Sequence, residues 1–171
     1  MIYFTQYPSP IGLLTLSTNG TELTGLWIQN QKYYPNTAAW CQVHSSSCPI
    51  LNTAANWLDS YFLGEHPHIT DIPLAPIGTP FRRQVWRCLC EIPYGETTTY
   101  GALAKIIAAE NNIVSMSSQA IGGAVAHNPI SIIIPCHRVV GADGTLTGYA
   151  AGTDIKRRLL ALEGVDISRF S

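Results

Sequence analysis

The sequence is poor in charge and has no long apolar run. Charged side chains make up 12% of the 171 residues, and the formal net charge is −1. No apolar stretch approaches the roughly 18 residues that a membrane-spanning helix needs, so we expect no membrane partner. Internal repeats and low-complexity segments are also missing. A chain of this length can hold one large domain or two small ones.

Secretion signals and paired cysteines are missing as well. Met1–Gln6 has neither a basic n-region nor an apolar h-region, so we expect no signal peptide. The five cysteines are an odd number without paired spacing, which argues against a disulfide framework. We therefore expect a reducing, cytoplasmic environment. Cys41, His44 and Cys48 fit no common zinc spacing, so no metal site is predicted.

Basic residues are scarce in the first 80 positions. Residues 1–80 hold one basic side chain, Lys32, against four acidic ones, whereas the rest of the chain holds nine basic against seven acidic ones. Two basic clusters lie in that second part: Arg82, Arg83 and Arg87, then Lys156, Arg157 and Arg158. They fit solvated helix faces, with the second cluster pointing outward, or a half of the chain that binds a polyanion.

Short apolar runs predict a small N-terminal α/β domain with antiparallel strands over residues 1–65. The expected elements are strands over Ile2–Tyr7, Leu13–Ser17 and Leu23–Ile28, and a helix over Asn52–Leu63. The turn signal Asn19-Gly20 separates the last two strands. Prolines and a glycine in residues 66–79 then predict an extended linker.

Residues 80–171 predict a mostly helical second domain, which makes the fold class α+β. The expected helices begin near Phe81, near Tyr100 and after Ser117-Ser118, and the last one covers Ile155–Leu162 behind Asp154. The second and third helices form a helix-turn-helix pattern. Gly122 and Gly123 cost the third helix about 2 kcal/mol of helix propensity. They fit either a tight helix–helix contact or a helix that approaches a groove of DNA.

The segment Ile130–Val140 is apolar and β-branched, and it predicts a buried strand that stops at Pro135. Cys136 then lies at the strand end, next to His137. An imidazole can convert a thiol into a reactive thiolate, but the two side chains meet only if the backbone turns after Pro135. Glu163 is the best candidate carboxylate to orient His137. An inert core cysteine beside a satisfied histidine is the alternative for such a pair.

At Ile134–Val140 the sequence Ile-Pro-Cys-His-Arg-Val-Val resembles the O6-alkylguanine-DNA alkyltransferases. The likeness continues through the C-terminal half, at Ile92–Thr97, Thr99–Ala104, Ala120–Ala124 and Leu159–Gly164. It implies stoichiometric, irreversible transfer of an alkyl group from O6-alkylguanine in double-stranded DNA to Cys136, after base flipping. O4-alkylthymine is a second candidate substrate. The resemblance also implies a monomer that requires neither metal nor cofactor.

The resemblance assigns a role to each matching residue. Cys136 would accept the alkyl group, His137 would act as its base through a water, and Glu163 would hold His137. Asn128 would link the recognition helix to the cysteine. Tyr100 would crowd the target phosphate, while Ala120, Gly122 and Gly123 would let the helix enter the minor groove. The other implied DNA contacts are Thr99, Gln119 and Arg138. The loop Thr147–Gly152 would wall a pocket lined by Tyr149, Ala150, Val139 and Val125.

The sequence departs from the family pattern at Gln119. The family usually has an arginine there, which fills the gap left by the flipped base. Glutamine can still hydrogen-bond the orphaned partner base, but it brings no charge. The loop from about Ala108 to Ser117 is also longer than usual.

Three other functions are consistent with parts of the pattern. A protein that clamps alkylated DNA without transfer would lack the cysteine, yet Cys136 is present. A thiol hydrolase using Cys136, His137 and Glu163 would need an oxyanion hole and turnover. A transcription regulator would use the helix-turn-helix alone, which the glycines fit poorly.

Overall fold

The computed structural model describes residues 1–146 and 148–171. They form two compact units: Met1–Ile77 with Pro129–Ser131, and Gly78–Asn128 with Ile132–Ser171. The first unit contains an antiparallel sheet and the second is mostly helical. This confirms the α+β class predicted from the sequence. In the described part of the chain, no helix has both the length and the apolarity to cross a membrane.

The first unit is built on a four-stranded sheet with the order β3-β2-β1-β4. Its elements are β1 (Tyr3–Ser9), β2 (Gly12–Thr18), β3 (Leu23–Ile28), β4 (Cys41–Gln42) and helix α1 (Pro49–Phe62). The three predicted strands pair antiparallel, and β4 adds in parallel to β1 within a stretch expected to be irregular. Helix α1 buries Leu51, Ala54, Trp57, Leu58 and Tyr61.

Residues 66–77, from the stretch expected to be an extended linker, group with the first unit. The indole Nε1–H of Trp57 donates to the carbonyl of His68 at 3.0 Å. Leu74 forms a parallel bridge with Leu23 of β3. This stretch therefore makes specific contacts with the helix and the sheet of its own unit.

The second unit contains four helices and a short parallel strand pair among its described residues. They are α2 (Pro80–Leu89), β5 (Thr98–Thr99), α3 (Tyr100–Glu110), α4 (Ser118–Ala126), β6 (Val139–Val140) and α5 (Thr153–Leu162). The side chains of Thr79, Thr99 and Ser117 cap α2, α3 and α4 as the sequence predicted for the latter two. The predicted cap Asp154 is wrong, because α5 begins at Thr153, two residues before the predicted start, so Asp154 lies inside the helix and Gly152 is the cap residue.

The strand predicted from Ile130 to Pro135 is wrong, and the Pro-Cys-His-Arg motif is carried by a turn that precedes β6 and not by a strand. The segment is buried throughout, but Ile132 has a left-handed φ of 71° and Cys136–Arg138 form a turn of 3-10 helix. The amides of Cys136 and Arg138 donate locally, to the carbonyls of Ile134 and Pro135. β-branched residues suit buried surroundings as well as strands. The isoleucines of this segment therefore indicated correctly that it is buried, but they did not indicate its backbone conformation.

Candidate active site

The 3-10 turn supplies the backbone bend that a Cys–His pair needs. Cys136 is 5% exposed, and the next residue, His137, is fully buried. Pro135 precedes the turn with a φ of −83° and a ψ of 62°, and β6 begins directly after Arg138. The cysteine is therefore presented from a short, internally hydrogen-bonded turn.

Glu163, at the end of α5, forms hydrogen bonds with the side chains of His137 and Arg138 in this turn. Its Oε2 lies 2.5 Å from Nε2 of His137, and its Oε1 accepts from Nε of Arg138 at 2.7 Å. The amide of Gly95 also donates to Oε1, at 3.2 Å. The second arm of Arg138 donates from Nη1 to the carbonyl of Ile92 at 2.6 Å. The carboxylate is buried, and it is also well satisfied.

The protonation state of the pair follows from these contacts. Burial alone would raise the pKa of Glu163, but the bonds from His137 and Arg138 outweigh it and hold that pKa well below its usual range. Burial lowers the pKa of His137, with Glu163 opposing only in part. The carboxylate is thus charged and the imidazole neutral. A carboxylate only accepts, so Nε2 carries the proton and Nδ1 keeps a lone pair.

The other nitrogen of His137 is available for chemistry. Its Nδ1 is buried and has no hydrogen-bond partner among residues 1–146 and 148–171. A buried acceptor without a partner is costly and uncommon, and one of the settings in which it persists is a catalytic site. The geometry therefore fits an imidazole whose Nδ1 acts as a base.

Two groups beside Cys136 offset the effect of burial on its thiol. Burial raises the pKa of the thiol above its ordinary value, and a hydrogen bond from the Asn128 side chain and the charge of Lys156 reduce that rise in part. Nδ2 of Asn128 also donates to the carbonyl of Ile134 at 2.8 Å. Asn128 lies just beyond the end of α4, so it connects that helix with the cysteine turn.

Lys156 is a site residue that the sequence reasoning missed. It was expected to point outward with Arg157 and Arg158, but it is fully buried. Burial lowers its pKa to about 8, and the neighbouring Cys136 opposes that shift. Helical spacing was the signal available: Lys156 lies three and four residues before Leu159 and Leu160, on the apolar face of α5.

Tyr100, the first residue of α3, lies beside both Lys156 and the loop before α5. The Lys156 ammonium is 6.0 Å from the centroid of its ring. A Cβ built on Gly148 would lie 2.7 Å from its hydroxyl oxygen, so a side chain at Gly148 would require a shift. Burial, followed by Cys136, raises the pKa of Tyr100 to about 12. Its hydroxyl is therefore protonated at neutral pH.

Helix α4 has a solvent face made of small side chains. Gln119, Ala120 and Gly123 are exposed, whereas Ile121 and Val125 point inward. A Cβ added to Gly123 would meet no atom within 4 Å. The alternative of a tight helix–helix contact therefore does not explain Gly123. An open, small-residue face suits close approach to a nucleic-acid groove.

The expected pocket residues have different degrees of burial. Val125, Val139 and Tyr149 are buried, Ala150 is half-buried, and Thr147 lies outside the described residues. The Tyr149 hydroxyl has no hydrogen-bond partner in the described part of the chain. Burial, then Cys136 and Glu163, raises its pKa well above the ordinary value.

Two residues predicted to contact DNA have other partners. The buried guanidinium of Arg138 is committed to Glu163 and to the carbonyl of Ile92, which leaves it poorly placed for a phosphate. Thr99 accepts from the amide of Ala102 at 3.1 Å as the cap of α3.

The cysteines of the first unit do not form a metal site with other described residues. Cys41 and Cys48 are free thiols, and the described residues bring no three metal-binding side chains together.

Comparisons with known proteins cover nearly the whole chain. Residues 2–76 match the ribonuclease-like domain of 6-O-methylguanine DNA methyltransferases, and residues 80–165 match their DNA-binding domain. A methylated-DNA–protein-cysteine methyltransferase of Haemophilus influenzae is 43% identical over 96% of this chain and 87% of its own length. One from Methanosarcina acetivorans is 42% identical over 95% and 99%.

Solved structures give the same result. The O6-methylguanine methyltransferase of Mycobacterium tuberculosis has a TM-score of 0.83 and 42% identity, covering 100% of this chain and 96% of that one. The M. tuberculosis OGT in complex with DNA has a TM-score of 0.82 and 40% identity, covering 98% and 94%. This chain therefore belongs to the methylated-DNA–protein-cysteine methyltransferase family.

Proposed function

We propose that this protein repairs DNA by direct reversal, moving an alkyl group from O6 of guanine to Sγ of Cys136. One observation carries the proposal: Cys136 and His137 share a buried turn, and Nδ1 of His137 is unpartnered among the described residues while Nε2 is held by a charged Glu163. The relatives are named for methylated DNA and for a protein cysteine, which agrees with this chemistry.

The transfer is a displacement at the alkyl carbon. His137 takes the thiol proton at Nδ1 through a bridging water, and Asn128 and Lys156 stabilise the resulting thiolate. Sγ forms a bond to the alkyl carbon as the carbon–O6 bond breaks, and the electron pair leaves with guanine. The departing base takes up a proton, for which the protonated Tyr100 is a candidate donor. The thioether has no route back to the thiol, so each chain reacts once.

The base must leave the helix stack before this reaction can occur. O6 of a stacked guanine is out of reach of a buried thiol, and turning the nucleotide out costs a few kcal/mol. The exposed small residues Ala120 and Gly123 would let α4 lie in the minor groove, with Gln119 at its first turn and Tyr100 beside the flipped nucleotide. Tyr149 and Val139 would then line the pocket of the base. O4-alkylthymine is a second substrate of the same chemistry.

The cellular setting follows from the nucleophile. All five cysteines are free thiols in the described structure, and a reducing compartment such as the cytoplasm would keep Cys136 reactive. A double-stranded DNA that carries O6-alkylguanine is the partner this site requires.

The proposal is tested with double-stranded DNA that carries O6-methylguanine with a radiolabelled methyl group. We expect label to move to the protein, to reach at most one methyl group per chain, and to disappear in Cys136→Ala. Cys90→Ala, which changes a half-buried thiol of α2's C-terminal cap, serves as the matched control and should transfer normally. Label released to solvent over many turnovers would indicate a hydrolase. DNA binding without transfer would indicate a clamp.

A further inference from the structure

The outer edge of β3 holds two short segments of chain. β3 is the last strand of its sheet, so one side of its backbone has no strand partner. Leu23 pairs there with residues 73–75, and Leu26 pairs with residues 129–131, each through one parallel bridge. The second segment belongs to the first unit although it lies far along the sequence, between Asn128 and Cys136.

Both hydrogen-bonding groups of Leu26 are committed to this second segment. Its N–H donates to the carbonyl of Pro129 at 2.8 Å, and its carbonyl accepts from the amide of Ser131 at 2.9 Å. Leu26 and Ile130 are fully buried, and Ser131 is nearly so. Water is therefore kept from these bonds, which strengthens them and makes their loss expensive.

The bonded segment is continuous with the active site at both ends. On one side, Asn128 places its side chain against the Cys136 thiol and donates to the carbonyl of Ile134. On the other side, Ile132 turns the chain back with its left-handed φ of 71°. The loop from Asn128 to Cys136 is thus closed by the Asn128 side chain and held at residues 129–131 by Leu26.

We propose that the backbone of Leu26 is a positioning element for the alkyl transfer. By holding Pro129 and Ser131 it sets the Asn128 side chain against the thiol, so the N-terminal sheet contributes to the rate of reaction as well as to stability. This inference rests on the proposed function of Cys136. A shift of the loop by a fraction of an ångström would weaken the hydrogen bond from Asn128 and leave the thiol more fully protonated.

The test replaces the amide of Leu26 by an ester, by site-specific incorporation of the α-hydroxy analogue of leucine. This change removes one N–H and keeps the side chain. Leu23 offers a matched control: it is also a fully buried leucine of β3, and its N–H donates to the carbonyl of Pro73 at 2.9 Å. Both esters should lower stability to a similar extent. Only the Leu26 ester should slow single-turnover transfer at saturating DNA, by about tenfold, with the half-saturating DNA concentration unchanged.

Proline variants remove the other half of each bridge and need no synthetic residue. Ser131→Pro deletes the amide that bonds Leu26, and Ala75→Pro deletes the amide that donates to Leu23 at 2.8 Å. We expect slower transfer in the first variant only. Equal transfer rates within either matched pair, or a change in half-saturating DNA alone, would overturn the inference.

Failure of the proposed function would be visible separately. If the wild-type protein transferred no label, positioning could still be measured as the rate at which iodoacetamide alkylates Cys136, read by peptide mass spectrometry. The Leu26 ester should then react more slowly than the Leu23 ester, since the hydrogen bond from Asn128 lowers the thiol pKa. Equal rates would overturn the positioning role.

Discussion

Nε2 of His137 lies 2.5 Å from Oε2 of Glu163, and both side chains are fully buried. The same carboxylate holds Arg138 through its other oxygen at 2.7 Å. Glu163 thus balances the buried guanidinium and sets the tautomer of the imidazole. One carboxylate supports both the stability of the turn and its chemistry.

Glu163→Gln should impair both properties. The amide has nearly the same shape, but its NH₂ group faces a donor of either His137 or Arg138, and the buried arginine loses its counter-charge. We expect a loss of about 3 kcal/mol in the free energy of unfolding and at least a tenfold slower alkyl transfer. Denaturant unfolding and single-turnover kinetics measure the two effects. Asp166→Asn, at an exposed cap three residues later, is the control and should change neither. A variant with wild-type kinetics would contradict the assigned role of Glu163.

Lys156→Met should change the pH dependence of stability. The Lys156 pKa is about 8 in the folded protein and 10.5 without the fold. Between these values the unfolded chain binds the extra proton, so wild-type stability gains from rising pH through this group. The unfolding free energy of wild type minus that of Lys156→Met should rise by up to about 3 kcal/mol between pH 8 and 10.5. A difference that does not change with pH over this range would show that folding does not lower the pKa of Lys156.

The same substitution should slow alkyl transfer near neutral pH. The charge of Lys156 lowers the pKa of the Cys136 thiol against the effect of burial, so its removal leaves less thiolate. We expect a several-fold slower reaction and a rate profile displaced to higher pH. Lys156→Arg retains the charge and should show less displacement. Identical profiles for wild type and Lys156→Met would refute the electrostatic role.

Gly123→Ala separates folding from DNA binding. An added Cβ meets no atom within 4 Å in the free protein, so α4 should gain about 1 kcal/mol of stability. A helix that enters the minor groove has no room for that methyl group, so DNA affinity should fall. Gly101→Ala in α3 places its Cβ near Ser118 and is the control. Thermal unfolding and DNA titration of both variants decide the matter. Unchanged affinity in Gly123→Ala would remove this residue from the interface.

Gln119→Arg should tighten DNA binding. Gln119 is exposed on the first turn of α4, where an arginine would add a positive charge close to the phosphates. The dependence of log affinity on log salt should steepen by about one unit. Gln6→Arg adds the same charge at an exposed position of β1 and should have little effect. Equal or weaker affinity of Gln119→Arg at matched salt would contradict the placement of α4 in the groove.

Much of this protein is readable from short stretches of its sequence. Short apolar runs bounded by turn residues predicted β1 to β3, and the capping side chains of Thr99 and Ser117 predicted where α3 and α4 begin. The motif around Cys136 predicted the family. These features depend on neighbours in the chain, because caps, turns and periodicity are interactions over a few residues.

Other features depend on residues that are distant in sequence. The stretch from Ile130 to Pro135 looks like a strand, yet beyond the single bridge from Ile130 to Leu26 its backbone forms local turns, and the side chain of Asn128 donates to the carbonyl of Ile134. Arg138 was expected to contact DNA, but its guanidinium donates to the carboxylate of Glu163, which lies 25 residues later in the sequence. The spacing of Lys156 to Leu159 and Leu160 places it on the apolar face of α5, but its burial beside Cys136 depends on the packing of distant segments.

The sequence by itself determined most of the helices and strands, the caps of α3 and α4 and the choice of Cys136 as candidate nucleophile, because these rest on local chemistry. The tertiary structure alone decided which charges are buried beside Cys136 and which backbone holds its loop. Burial and pairing arise from packing of distant segments, and packing sets the pKa of His137, Glu163 and Lys156.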